Sequence, residues 1–246
     1  MTLKVETKDG ESFVGTAFLA LDEGIAVTAW HVISDAIKVT AKFSDNQKFE
    51  VVGVVDKNEQ KDLALLRVKT TGRPQVVLGS VKPRVGARAY VIGAPKGFDF
   101  SITDGLISQI QKVDGFRQYQ VSCPISPGNS GGPIVNSKGE VLGVTAWSRK
   151  DAQNLNFAIP VSDVLGLNPA LPVIAWADLP KPAKYKAPSA VSEKKPSSSE
   201  ETDSSKAASQ LKETFLRAAG KQVTVVVTEE GEEKKFSFTV PNDFVK

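Results

Sequence analysis

The sequence predicts an all-β protein, and three observations carry that reading. Short segments rich in Val, Ile, Thr and Phe recur between turn residues at the spacing of barrel or sandwich strands. No sustained helical periodicity interrupts them before Pro169. They also fall into two successive halves of similar size, divided by the breaker-rich stretch Thr70–Pro83 with Gly72, Pro74, Gly79 and Pro83. Two packed barrels or sandwiches satisfy all three.

In the first half the strands are expected at Ser12–Leu21, Ile25–Ala29, Ile37–Phe43, Phe49–Asp56 and Leu63–Val68. Asp22-Glu23-Gly24 breaks the first from the second. In the second half they are expected at Ala87–Ile92, Phe100–Ile110 with a bend near Asp104-Gly105, Gln118–Cys123, Glu140–Trp147 and Leu155–Ile159. Val161–Leu167 reads as a short closing helix, with Ser162 or Asp163 near its start.

Past Pro169 the composition changes. Pro172–Pro182 is apolar and proline-punctuated and is expected to lie extended over the β domain. Ala183–Lys206 is Ser, Lys, Glu and Pro with almost no bulky apolar side chains. It cannot bury enough surface to offset the entropy of ordering, which makes it a disordered linker. Ala207–Ala219 then reads as a helix, with Leu211, Phe215 and Ala218 or Ala219 on one face and Gly220 at its stop. Gln222–Thr228 and Lys234–Val240 read as two strands. The expected layout is a β domain over 1–170 (halves at about 1–78 and 85–165), a linker over 171–206 and a small αββ segment over 207–246.

Composition excludes several functions. A net charge of +3, with no basic run interleaved with aromatics, gives no electrostatic basis for nucleic acid. Nothing approaches the ~18 consecutive apolar residues of a membrane span. One cysteine, Cys123, rules out an intrachain disulfide and reads as a buried structural thiol. One histidine, one cysteine and no clustered carboxylates provide no metal site, and no cofactor is expected. The N-terminus lacks an apolar signal-peptide core, which implies a cytoplasmic protein if the chain is complete.

The chemistry concentrates in Ile125-Ser126-Pro127-Gly128-Asn129-Ser130-Gly131-Gly132-Pro133. A glycine-rich turn exposes its serine and leaves backbone N–H groups unpaired, so it offers a nucleophile and a hole for an oxyanion. The sole histidine, His31, follows a strand that ends at Ala29. Asp62 directly precedes the strand Leu63–Val68. Each alone is bland; the order His, Asp, Ser, each at a strand edge, is not.

Thr28-Ala29-Trp30-His31-Val32, Asp62-Leu63-Ala64-Leu65-Leu66 and Gly128-Asn129-Ser130-Gly131-Gly132-Pro133-Ile134-Val135-Asn136 resemble the three signature segments of chymotrypsin-fold serine proteases, closest to the bacterial HtrA (Deg) type. Gly15-Thr16-Ala17-Phe18, Val91–Pro95, Thr103–Ser108 and Asn156–Pro160 are further matches, and the resemblance covers roughly Gly10 to Leu167. It implies two six-stranded antiparallel β-barrels with the active site between them. It also implies that Ser130 is the nucleophile, His31 the general base and Asp62 its orienting partner. The oxyanion hole would be the backbone N–H groups of Gly128 and Ser130, with Asn129 between them. Substrate would be bound by Pro124, by Ala146-Trp147-Ser148 (which would add it as an antiparallel strand) and by Asn156-Phe157-Ala158.

The sequence departs from the pattern in three places. Pro124 stands six residues before the serine, where digestive trypsins carry an acid, so an apolar pocket for small or medium aliphatic side chains is expected. Ser122 stands where HtrA proteins usually carry an aspartate. The residues from Lys206 onward are too few for the PDZ domain that normally follows. The family implies unfolded or misfolded polypeptides as substrates, homotrimers, and a periplasmic or extracellular setting. The competing expectation is a catalytically latent binding or chaperone-like module.

Overall fold

A computed structural model describes residues 1–94, 100–112, 115–147 and 155–180, together with the backbone of 113, 148, 222–229 and 232–239. The expected linker over 183–206 and helix over 207–219 lie outside the described residues. The chain divides into two compact units, Met1–Ser189 and Ala190–Lys246.

The first half of the larger unit contains β1 (Thr2–Thr7), β2 (Ser12–Thr16), β3 (Phe18–Leu19), β4 (Ile25–Ala29), β5 (Ala36–Lys42), β6 (Lys48–Asn58) and β7 (Leu63–Val68). They form one antiparallel sheet in the order β2-β1-β5-β6-β7-β4-β3. Because β2 and β3 are a single run of chain interrupted at Ala17, the two ends of this path meet, and the sheet is a nearly closed barrel of six strands. The second half contains β8 (Arg88–Gly93), β9 (Ser101–Val113), β10 (Phe116–Val121), β11 (Pro133–Val135), β12 (Val141–Ser148) and β13 (Asn156–Pro160). These close into a barrel in the order β10-β13-β12-β11-β8-β9. The all-β, two-barrel expectation is met.

Several details differ from expectation. β1 was not anticipated: Thr2-Leu3-Lys4-Val5-Glu6-Thr7 alternates over only six residues, and its signal is Leu3 and Val5, both fully buried. β9 continues unbroken through Asp104-Gly105, and Gly105 is required because a Cβ there would lie 2.5 Å from Cys123 N. The closing helix shrinks to α1 (Val161–Val164). Its N-cap is Pro160, and neither Ser162 nor Asp163 makes a capping bond.

Three apolar clusters explain the arrangement. One fills the first barrel, around Leu3, Val5, Trp30, Ile33, Val39 and Leu66. A second fills the other barrel, around Val91, Ile107, Tyr119, Val121 and Ile134. The third joins them: Ile25, Val27, Leu63 and Leu65 meet Val135, Val144, Ala146, Ile159 and Val164. Strands β4 and β7 are therefore buried on both faces, which is why they read as continuous apolar runs rather than alternations. Trp30 belongs to the first barrel's core.

Beyond α1 the chain turns back over the first barrel. Asn168 N donates to Asp56 Oδ2, a short β14 (Ile174–Ala175) pairs with β6, and Trp176 Nε1 donates to Val51 O at 2.8 Å. The apolar segment lies on the first barrel as expected, but it is not extended throughout, since Trp176–Asp178 forms a 3-10 turn. In the smaller unit, β15 (Gln222–Glu229) and β16 (Glu232–Thr239) form an antiparallel hairpin, one residue or two from the expected limits.

Burial pushes the Cys123 thiol up to about 11, and Sγ donates to Ala89 O at 3.4 Å. Below that value the thiol stays protonated, and only the thiolate is nucleophilic. Iodoacetamide at pH 8 should leave the native protein unlabelled and modify Cys123 once denaturant is added, as read by intact mass.

Candidate active site

The register of β4 on β7 brings the first two candidate residues together. The ladder ends at Ala29↔Leu63, and one rung further Trp30 N donates to Asp62 O at 3.1 Å. The chain then enters a single 3-10 turn, Trp30–Val32, which carries His31 out of the strand. Asp62 sits in the left-handed region at φ 55, a conformation that aspartate tolerates better than most residues. Its carboxylate is thereby turned back toward the turn. Oδ1 accepts the His31 backbone N–H at 2.8 Å and Oδ2 lies 2.7 Å from His31 Nδ1. A carboxylate only accepts, so Nδ1 carries the proton and Nε2 of the neutral ring is the basic nitrogen. Asp62 is buried (5% exposed) while the His31 side chain is 24% exposed, which leaves the ring accessible and its partner sheltered.

Ser130 comes from the other barrel, in the loop between β10 and β11. Asn129 N donates to Ser126 O at 3.0 Å across Pro127-Gly128, and Gly128 has φ 104. Proline second and a positive-φ glycine third make this a type II turn. A type I turn would instead rotate the Pro127–Gly128 peptide and reverse the Gly128 N–H. Gly132 N donates to Asn129 O at 3.0 Å, which fixes the peptide that carries the Ser130 N–H. Asn129 spends its own N–H within the turn, and its buried side chain lies against Gly93. Among the described residues, neither Gly128 N–H nor Ser130 N–H has an acceptor. Two donors thus flank the serine, which is the requirement for holding an oxyanion.

The loop meets the first barrel through glycine. A Cβ on Gly131 (φ 82) would run into Thr28 Oγ1 and Thr16 O and come within 2.9 Å of Ala29 N, two residues before His31. Thr16 N donates to Ser130 O at 2.9 Å, and Gly131 N donates to Thr145 O at 2.7 Å. Ser130 Oγ donates to Ala146 O at 3.3 Å, so the serine lies at the edge of β12. Among the described residues no strand pairs with Ala146–Ser148 on this side: β11 pairs with β12 from Pro133↔Val144 to Val135↔Val141, whereas β13 follows the other side to Ser148↔Asn156.

The expected substrate-binding residues converge on the same end of the second barrel. Asn156 Nδ2 donates to Cys123 O at 2.7 Å, and the Trp147 ring stacks on Phe157 with centroids 4.1 Å apart. Ala146 and Ala158 are buried and Pro124 is exposed, its carbonyl accepting from Thr103 Oγ1. Of Ser148 only the backbone is described. Ser122, at the position where an acid is usual in the family, takes Leu106 N–H on its hydroxyl at 2.9 Å and so secures β9. Two interactions were not legible beforehand. The Thr16 side chain reaches the serine loop, and Lys61 Nζ, beside Asp62, binds Asp163 Oδ1 of α1 at 2.6 Å. Among the described residues no group of His, Cys, Asp and Glu is placed to hold a metal, and no helix is long and apolar enough to cross a membrane.

Gly131→Ala combines a forbidden φ with backbone overlap. It should destabilise the fold by at least about 2 kcal/mol, a loss that a thermal or urea melt would register.

Comparison with known proteins agrees with the fold. Residues 15–144 match the model of the trypsin-like peptidase domain. A "Probable periplasmic serine endoprotease DegP-like" of Ectopseudomonas mendocina is 35% identical over 166 residues, 64% of this chain and 35% of its own length. The chain spans about a third of the length of the curated relatives it matches. Among solved structures, the active form of the Rv3671c protease of M. tuberculosis superposes with a TM-score of 0.62 at 22% identity, covering 77% of this chain and 82% of that one. The HtrA-type protease AlgW with a tripeptide gives 0.61 at 27% identity, covering 67% and 57%. With residues 15–144 matched by the family model and both barrels in place, the chain belongs to the trypsin-like peptidases.

Proposed function

We propose that the protein is a serine endopeptidase acting through Ser130, His31 and Asp62. The observation that carries this is the His31–Asp62 pair set beside a serine loop with two unspent N–H donors. Ser130 Oγ attacks the scissile carbonyl while His31 Nε2 takes its proton. The resulting oxyanion accepts from Gly128 N–H and Ser130 N–H. Collapse breaks the C–N bond, and His31 returns the proton to the departing amine. A water activated by the same nitrogen then cleaves the acyl ester and regenerates the serine. Asp62 keeps the proton on Nδ1 and stabilises the imidazolium that forms.

The substrate lies along the open edge of Ala146–Ser148 as an added strand. The side chain preceding the scissile bond is small or medium and aliphatic. Supporting this, no charge stands at Pro124, Ala146 and Ala158 are apolar, and the Asn156 amide ties Cys123 to β13. The substrates are unfolded or misfolded polypeptides met in the periplasm; the names of the DegP-like relatives support the periplasmic setting and the endoprotease activity.

A fluorophosphonate probe should label Ser130, and Ser130→Ala should abolish labelling and hydrolysis together. Asp62→Asn should lower kcat on the order of 10⁴-fold, because the amide favours the wrong imidazole tautomer. A wild-type protein that takes no label across pH and temperature would instead be a non-catalytic binding module. In a peptide library, cleavage after Ala, Val or Leu should outrun cleavage after Lys or Arg; the reverse order would sink the pocket assignment.

A further inference from the structure

The Thr16 hydroxyl is held more tightly in this site than any catalytic scheme built on three residues requires. Thr16 is 1% exposed and joins four segments. Its Oγ1 donates to Gly128 O at 2.6 Å and accepts Ala94 N–H at 3.2 Å. Its carbonyl accepts Thr28 Oγ1 at 2.8 Å, and its N–H donates to Ser130 O at 2.9 Å. The backbone contacts would form with any residue. The side-chain contacts need a hydroxyl, since one group must donate to a carbonyl and accept from an amide at once.

Gly128 is the residue whose N–H is least secured. The peptide that carries the Ser130 N–H is fixed through Asn129 O, whereas the Gly128 N–H belongs to the central peptide of the type II turn, the one that distinguishes a type II from a type I turn. The neighbouring Gly128–Asn129 peptide is held at both ends, by Ser126 O on its N–H and by Thr16 Oγ1 on its carbonyl. We infer that Thr16 is a positioning residue for the oxyanion hole: its hydroxyl clasps the Gly128 carbonyl to Ala94 and so holds the Gly128 N–H at the angle the transition state needs. The first barrel thereby contributes to the hole as well as supplying the base. Because a hydrogen bond to developing charge loses strength steeply with misalignment, the clasp acts on the tetrahedral state more than on bound substrate.

The inference rests on the protease reading, and the experiment separates the two. Wild type, Thr16→Val and Thr16→Ser are compared for kcat and KM on one peptide, for inhibition by a peptide boronate that mimics the tetrahedral adduct, and for folded fraction by circular dichroism. Valine keeps the shape and deletes the hydroxyl. It should lower kcat per folded molecule roughly 10- to 100-fold, leave KM within about twofold, and weaken the boronate by the same factor as kcat. Serine, which restores the hydroxyl, should stay within about threefold of wild type. Wild-type kcat and boronate affinity in Thr16→Val would overturn the inference. So would an activity loss that only tracks unfolded protein, or a Thr16→Ser variant as impaired as Thr16→Val. A wild type that neither labels nor cleaves would overturn the protease reading itself.

Discussion

Strands β4 and β7 are pressed between two cores, and a ladder in that position cannot slip. A shift of one residue would carry Ile25, Val27, Leu63 and Leu65 out of the interface between the barrels and push Ala26, Ala64 and Leu66 into it. The register is thus fixed by burial on both faces. Its last rung, Trp30 N to Asp62 O, places the aspartate against the histidine turn. Asp62 pays in backbone strain at φ 55, and two hydrogen bonds from His31 offset it. The charged group that would cost most to bury is therefore the one whose position is best determined.

The serine loop shows the complementary solution. Where the first barrel positions side chains by register, the second positions peptide groups by assigning each a partner. Asn129 N–H, Asn129 O, Gly128 O, Gly131 N–H and Ser130 O are all engaged, and among the described residues Gly128 N–H and Ser130 N–H are left without an acceptor. On the proposed reading, these donors would need no reorganisation as charge develops. Gly131 makes the contact between barrels possible, since no side chain fits between the loop and β4.

Much of this was legible in the sequence, for identifiable reasons. Strands β4 and β7 were anticipated to the residue because apolar runs bounded by turn signals survive without knowledge of partners. His31, Asp62 and Ser130 stood out as chemistry-bearing types at strand edges. What escaped depends on contacts across long separations. β1 has only two inward residues, and the edge it covers is invisible locally. Thr16 sits in a recognisable motif, but its use is set by Gly128, 112 residues away. The Lys61–Asp163 pair joins segments 102 residues apart, and nothing in either stretch announces the other.

The return of the chain over β6 changes how the two barrels are joined. Gly53 lies so close to Ile174 O that no Cβ could stand there, and Trp176 and Leu179 are packed against the first barrel's core. The segment after the second barrel is therefore a strap anchored on the first. The halves are linked in sequence through 69–87, and 168–180 ties the end of the second barrel back to the first by non-covalent contacts. A nick in the first connection would leave a strand pairing, an indole hydrogen bond and a shared apolar interface still bridging the cut. In topological terms the covalent connection and the strap together close the two barrels into a ring.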